Sequence, residues 1–356
     1  MPRRLNIPSS NIPEDLARAA HLRYVSDEEP GLGRRRQGRG FSYVSVRGWP
    51  LRDQRKISRI ETLAIPPAWQ DVWICTSSKG HLQATGRDAR QRKQYIYHQR
   101  WNEVTGLAKF TRLAEFGDRL PQLRRAIAAT LRARQVSRER ILAGMIAVLD
   151  LTAIRVGNEE YVTQNSSYGL ASLRNRHITV GSRNVELRFR AKGGFQRSVT
   201  IDVPAVVRVI RDCAQLNGSH VFQYLDDNES IHAVTAGEVN DHLKLITGEE
   251  ITAKDFRTWK ASAFAVGALF VRKQEDETAA ERKRTVRDVV SQTAEMLSNT
   301  PAVCRNYYIH PGLLDCYERG KFLDVVGGTP PRGRKLFTVE EQLLKRFLKN
   351  WPLSVE

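Results

Sequence analysis

Only four cysteines occur in the 356 residues, Cys75, Cys213, Cys304 and Cys316, and no two form a C-x-x-C pair. That spacing builds neither a disulfide frame nor a zinc site, and it predicts reduced, partly buried thiols. The eight histidines are equally scattered, without the H-E-x-x-H or H-x3-H spacing that turns two imidazoles toward one metal. The acidic clusters Asp226-Asp227-Asn228-Glu229 and Glu275-Asp276-Glu277 lack the alternation of a calcium loop and read as solvated loop or helix-start charge. No apolar run approaches the ~18 to 20 residues that cross a bilayer, and Met-Pro-Arg-Arg leads into no signal-like apolar stretch. A soluble, cytoplasmic protein without a membrane partner is expected. The glycine-rich run from Gly327 to Lys335 has Arg334 where a P-loop needs lysine, and its two prolines open no helix. With no G-x-S-x-G elbow and no dinucleotide fingerprint either, an enzyme of this sequence is expected to work without bound nucleotide and without a metal.

What is abundant is positive charge: 57 Lys and Arg face 39 Asp and Glu, a net charge of +18. Such a surface attracts polyanions. Nucleic acid leads, because no basic amphipathic segment with bulky apolar anchors is offered to anionic lipid. The 6 Trp, 10 Tyr and 12 Phe are spread through the chain, which marks a folded protein rather than a basic tail. A chain of 356 residues exceeds the ~250 to 300 at which single cores stop growing, so two domains are expected.

The run from Gly31 to Gly40 carries too many glycines and like charges for a stable element. It reads as a solvated loop, or as a phosphate-contacting arm on a nucleic-acid protein. Period-two runs at 41–47, 72–76, 81–84 and 94–97 predict a small strand-rich domain. Near residue 112 the period becomes helical, through Leu120, Leu123, Ile127 and Leu131, then Ile141, Leu142, Met145, Ile146 and Leu149. Between 177 and 201 it returns to two, with turns at 181–184 and 192–194, which predicts a three-stranded antiparallel meander. Helices are expected over 203–216, 234–245, 259–271, 278–297 and 338–349, the last opened by the capping box Thr338-x-x-Glu341. The fold class is therefore α+β. A strand-rich domain spans 1–112, its first forty residues basic and partly flexible, and a mainly α-helical domain with the meander spans 113–356.

Several basic and hydroxyl residues stand in constrained contexts. Arg155 follows an apolar helix and precedes an Asn-containing turn. Lys192 is at the meander tip beside Gly193-Gly194, where its amine projects beyond the sheet; the plain alternative is a turn lysine that keeps the edge soluble. Arg257 lies near a helix start, a place that also welcomes phosphate, although an ion pair with Asp255 is the ordinary reading. Tyr307 and Tyr308 follow a proline-marked helix break and stand among Arg305, Asn306 and His310. A tyrosine pair is more often core packing than a nucleophile, but the positive setting favours the latter.

Five motifs, in one order, resemble the bacterial, poxvirus-like type IB DNA topoisomerases. They are Ile65-Pro66-Pro67-Ala68-Trp69 with Val72-Trp73-Ile74, the run His81 to Arg90 with Arg92 to Tyr95, Ile154 to Asn158, Thr252 to Thr258, and Asn299 to Tyr308. The resemblance covers about residues 20 to 320. It implies that Arg155 and Arg257 are the catalytic arginines, Lys192 the catalytic lysine, Lys254 an additional active-site lysine and Tyr308 the nucleophile. Asn299 occupies the position of a histidine in the poxviral relatives; an amide can donate to a phosphate oxygen but cannot act as acid or base. The interval from Arg257 and Asn299 selects Tyr308 rather than Tyr307.

The resemblance further implies a clamp around double-stranded DNA. Arg34, Arg35, Arg36, Arg39, Gln83, Arg87, Arg90, Arg92, Lys93 and Tyr95 would be its duplex contacts. The expected activity is nicking of one strand through a 3′-phosphotyrosine, supercoil relaxation and religation, without ATP or an obligatory divalent metal. A nucleoid-associated monomer needing no protein partner is expected. The alternatives are a tyrosine recombinase, which normally carries His-x-x-Arg where this chain has Lys254-Asp255-Phe256-Arg257, and a non-catalytic duplex-binding protein.

Overall fold

The computed structural model describes residues 12–38, 40–272, 277–333 and 335–351. Two compact units part between Arg112 and Leu113.

In the first unit the alternating runs become strands. Its elements are α1 (Pro13–Ala19), β1 (Leu32–Gln37), β2 (Gly40–Val44), α2 (Gln54–Thr62), β3 (Gln70–Ile74), β4 (Leu82–Arg87) and β5 (Lys93–Tyr97), followed by the start of α3 (Gln99–Thr130). The strands form one antiparallel sheet in the order β2-β1-β3-β4-β5. One core cluster buries Leu32, Ile74 and Ala84 of the sheet with Ile60 of α2. The Asp53 carboxylate caps α2, accepting from the amides of Arg55 at 3.0 Å and Lys56 at 3.2 Å.

Two expectations are corrected here. Residues 32–37 are not a solvated loop but strand β1, paired with β2 on one side and β3 on the other. Pairing with β2 from Gly33 to Gln37, and with β3 at Leu32 and Gly33, gives the run its backbone partners, and Arg34 removes the charge problem locally. Its guanidinium donates to the carbonyls of Ile65 (3.1 Å), Pro66 (3.0 Å) and Trp69 (2.7 Å) and lies 4.1 Å from the centre of the Phe41 ring. Helix α3 begins at Gln99, well before the change of period near 112, because Val104 and Ala108 are buried against Leu16 and Ala20. That apolar stripe is short, and its partner α1 is distant in sequence.

The second unit continues α3 and adds α4 (Arg138–Thr152), α5 (Glu159–Asn165), β6 (Ile178–Val180), β7 (Val185–Arg190), β8 (Gln196–Ile201), α6 (Pro204–Ala214), β9 (Gln223–Leu225), β10 (Ile231–Ala233), α7 (Ala236–Thr247), α8 (Ala253–Val271), α9 (Ala279–Leu297), α10 (Pro301–Tyr307), α11 (Pro311–Glu318), α12 (Phe322–Val326) and α13 (Val339–Asn350). Strands β6, β7 and β8 make the antiparallel meander in that order. Helix α4 is buried on nearly every side, through Ile141, Leu142, Met145, Ile146 and Leu149, and α6, α7 and α8 pack around it. A hub centred on Arg124 joins two more helices, α3 and α13, to α4 and α8. All five N–H donors of Arg124 on α3 are used, on Asp150 of α4, on Glu341 of α13 and on the Leu336 carbonyl. Glu341 also accepts from the Trp259 indole of α8 at 2.9 Å.

The cluster Asp226 to Glu229 forms the solvated turn between β9 and β10, where the Asp226 carboxylate accepts from the amides of Asn228 and Ser230. All four cysteines are buried, and burial pushes the Cys213 thiol up to about 11. Among the described residues no helix is long and apolar enough to cross a membrane.

The satisfied guanidinium of Arg34 makes it a fold residue. Arg34→Ala should destabilise the protein by about 1 to 3 kcal/mol, the cost of orphaning part-buried acceptors. Arg36→Ala, whose side chain is exposed, should leave thermal melting unchanged.

Candidate active site

Two helix C-termini end side by side and set the site. Helix α4 ends at Ala153, a left-handed cap with φ 52°, and α9 ends before Ser298, another left-handed cap with φ 50°. Each cap turns the chain so that a candidate site residue follows one residue on for α9 (Asn299) and two residues on for α4 (Arg155). The loop carrying Arg155 is fixed by hydrogen bonds from the Leu170 amide to the Arg155 carbonyl (2.9 Å) and from the Ala171 amide to the Val156 carbonyl (2.7 Å). Gly157 is needed there: its φ is +74°, and a Cβ would stand 2.7 Å from the Cα of Gly169.

Arg257 projects from α8 and is only 4% exposed. Its guanidinium donates to the carbonyls of Ala153 and Leu297, the latter at 3.0 Å. Asp255 meanwhile accepts from the Thr252 amide and hydroxyl, both at 2.8 Å, and so closes the helix start. Arg155 donates to the Asn299 side-chain oxygen. Two donors of this group, Arg257 Nε and Asn299 Nδ2, are buried without a hydrogen-bond partner among the described residues.

Tyr308 follows α10, whose start is capped by Thr300 and pre-set by Pro301. Its ring lies under Arg257, with the guanidinium carbon 4.9 Å from the ring centre. Ser262 of α8 fixes the main chain here, donating to the Tyr308 carbonyl at 3.2 Å and accepting from the His310 amide at 3.0 Å. Tyr307 points elsewhere and is 60% exposed. His310, fully buried against Phe347, is pushed down to about 3 by burial and so stays neutral.

The β7–β8 turn brings the lysine. Gly193 and Gly194 both have φ +82°, which lets the chain reverse immediately after Lys192. Lys192 and Lys254 line one cavity of about 320 Å³ together with Arg155, Arg257 and Tyr308. The catalytic set expected from sequence is thus assembled in one place, with Asn299 attached through Arg155.

The electrostatics follow from the cations gathered around Tyr308, namely Arg257, Arg155 and Lys254. Burial opposes ionisation of the Tyr308 phenol, but Arg257, Arg155 and Lys254 outweigh it and hold the phenol below the ordinary tyrosine value. Burial, reinforced by Arg155, brings Arg257 down to about 10.

Sequence reasoning missed Arg197 of β8, which donates to the carbonyls of Met296 and Thr152 (3.0 Å for the latter) and to the Ser298 hydroxyl at 3.1 Å. The available signal was an arginine on the face that β8 shares with Val199 and Ile201. Ser262 was equally invisible, a single hydroxyl within an apolar helix.

The expected duplex contacts of the first unit divide. Gln83 is 3% exposed, and its amide donates to the carbonyls of Ser77, Ser78 and Gly80 while its oxygen accepts from Arg59. Gln83 is therefore buried and engaged within the fold, and Arg34 is half-buried with its guanidinium engaged on main-chain carbonyls. Arg92 pairs with Asp88 and Lys93 with Asp27, each at 2.6 Å. Arg35, Arg36, Arg87, Arg90 and Tyr95 are exposed. Arg39 lies outside the described residues.

Comparison with known proteins places the chain in a family. Residues 98–318 match the model of the eukaryotic DNA topoisomerase I catalytic core, and residues 40–88 match that of the bacterial DNA topoisomerase IB N-terminal domain. DNA topoisomerase 1B of Acanthamoeba polyphaga mimivirus is 31% identical over 294 residues, 81% of this chain and 88% of the viral protein. DNA topoisomerase 1B of vaccinia virus (strain Copenhagen) is 20% identical over 245 residues, 68% of this chain and 75% of the relative. The chain belongs to the type IB DNA topoisomerases. It is a DNA-binding isomerase of that family, with the N-terminal domain of its bacterial branch.

The cationic surroundings of Tyr308 can be read by ultraviolet difference titration. One phenol present in the wild type and absent from Tyr308→Phe should ionise below the ordinary value near 10. In Arg257→Ala the same phenol should ionise at higher pH, because a cation that favours phenolate is gone. A value unchanged by Arg257→Ala would contradict the cause given.

Proposed function

We propose that Tyr308 attacks one backbone phosphate of duplex DNA. The phenolic oxygen forms a bond to phosphorus, the bond to the 5′ oxygen breaks, and the 3′ end remains as a phosphotyrosine. The displaced 5′ hydroxyl later attacks the same phosphorus and releases the phenol, so bond energy is conserved and religation needs no ATP. Rotation of the free end between the two steps relaxes supercoils.

The observation that carries this reading is the pair of unpartnered buried donors, Arg257 Nε and Asn299 Nδ2, in a group that also holds Arg155 and the Tyr308 ring. Buried N–H groups without acceptors are costly, and an anion that enters the cavity resolves that cost. In the transition state charge grows on the two non-bridging oxygens, where fixed guanidinium and amide donors contribute most. Lys192 is the proposed general acid for the departing 5′ oxygen, and Lys254 adds positive charge at the cavity wall. Arg35, Arg36, Arg87, Arg90 and Tyr95 are the proposed outer duplex contacts, with Arg92 and Lys93 beside them. Cations at the phosphate do the work a divalent metal could otherwise do, so activity in EDTA is expected, from a monomer.

Purified protein should relax supercoiled plasmid in EDTA without nucleotide, and Tyr308→Phe should abolish both relaxation and the covalent adduct. An absolute requirement for Mg²⁺, or relaxation surviving in Tyr308→Phe, would overturn the proposal. Joining of strands from two sites would favour the recombinase reading.

Lys192→Ala should slow strand cleavage by ~10²- to 10⁴-fold. A duplex with sulfur in place of the bridging 5′ oxygen should restore most of that loss, since a thiolate leaves without a proton. The same duplex should not restore Arg257→Ala; rescue of both, or of neither, would remove Lys192 from the acid role.

A further inference from the structure

The two helix ends that carry Arg155 and Asn299 are held by a pair of arginines, not by one. Arg257 binds the carbonyls of Ala153 and Leu297. Arg197 binds the carbonyls of Thr152 and Met296, the residue immediately before in each helix, and adds the hydroxyl of Ser298. The two guanidiniums thus bridge the same pair of C-termini at adjacent positions. Arg257 reaches them from α8 and Arg197 from β8, the strand that follows the Lys192 turn.

We propose that Arg197 is a positioning residue for strand transfer. Its planar fork fixes the spacing of the α4 and α9 ends, and through them the register of Arg155 and Asn299 on the scissile phosphate. Because β8 also leaves the Lys192 turn, the same fork ties the turn to the phosphate-binding pair. This rests on the phosphotyrosine reading above, and it adds a residue that does not line the 320 Å³ cavity.

Three physical points support a positioning role over a simple contribution to stability. The acceptors are main-chain carbonyls at helix C-termini, the negative ends of the helix dipoles, and bonding there constrains backbone directly. The caps at Ala153 and Ser298 are left-handed in residues that have a Cβ, a conformation that persists only when its surroundings hold it. The bridge also needs a fork: one group serves Met296 and Ser298 while the other serves Thr152, a span that a lysine ammonium cannot cover at both ends.

The test is single-turnover cleavage of a suicide duplex at saturating protein, beside duplex affinity measured in the Tyr308→Phe background and thermal melting of each variant. Arg197→Met and Arg197→Lys should each cleave at least ~10-fold more slowly than wild type, with duplex Kd within about twofold, at a temperature well below melting; misplacement by ~1 Å costs rate of that order. Guanidinium ion at tens of millimolar should restore part of the rate to Arg197→Met and none to Arg257→Lys. Cleavage at wild-type rate by folded Arg197→Met overturns the proposal, as does full recovery in Arg197→Lys, which would leave only a role for charge. A rate loss matched by an equal loss of affinity overturns it too. If Arg197→Met melts below the assay temperature, Arg197→Lys decides by the same outcomes. Failure of the wild type to form an adduct at Tyr308 would instead sink the phosphotyrosine reading on which this one rests.

Discussion

The site depends on burying a guanidinium without quenching it. Arg257 is 4% exposed, and the bonds that hold it run to main-chain carbonyls of Ala153 and Leu297. A carboxylate partner would orient the arginine but cancel most of its field. Carbonyl dipoles at helix C-termini orient it and leave its unit charge in place. The cost of that choice is visible in Arg257 itself, brought down to about 10 by burial and by Arg155, and its yield in the Tyr308 phenol, held below its ordinary range by the same cations. The remaining architecture can be understood as what makes this placement tolerable. Helix α4 is the buried axis of the second unit, and its last turn carries both Asp150, anchored by Arg124, and the carbonyls that receive Arg197 and Arg257. Trp259, two residues past Arg257 on α8, is tied by its indole to Glu341 in the same hub.

Carboxylates are used where charge must be silenced. Arg124, Arg92 and Lys93 all face Asp or Glu at 2.6 to 2.7 Å. For Arg124 the carboxylates overcome burial and raise its affinity for the proton further. The contrast with Arg257, whose affinity falls, separates an arginine that supports the fold from one that is poised for an anion. Arg257 is buried and Arg124 largely so, and burial alone does not distinguish them; the kind of acceptor does.

Much of this was legible in sequence where the signal is local. The meander was readable from period-two runs and from the turn at 192–194, and the structure has β6, β7 and β8 there. The helices over 204–214, 236–247, 279–297 and 339–350 carry apolar stripes; the first opens on Pro204, and the other three open on complete capping boxes. What failed was nonlocal. The Gly31 to Gly40 run looks unfit for an element until its arginine meets the carbonyls of Ile65, Pro66 and Trp69, more than thirty positions away. The early start of α3 depends on α1, and Gln83 reads as a polar strand residue until the turn at 77–80 folds over its amide. Arg155, Lys192, Arg257 and Tyr308 were reached through motif resemblance, because nothing in their separate spacings says that they meet. Arg197 had no motif and was missed.

The excess of +18 therefore has no single meaning. An arginine whose donors are satisfied by carbonyls or carboxylates contributes to the net charge but offers little to a partner, as Arg34 and Arg124 illustrate. Exposed side chains such as Arg35, Arg36 and Arg90 contribute field at the surface, where salt screens it within ~8 to 10 Å. The cations around Tyr308 are few, but they act in a partly desolvated cavity where screening is weakest and each donor has a fixed direction. Surface charge of the first kind can be exchanged among neighbouring positions with little loss, since counter-ions and phosphates are mobile. The charge of Arg257 cannot move, because the acceptors that hold it are main-chain carbonyls.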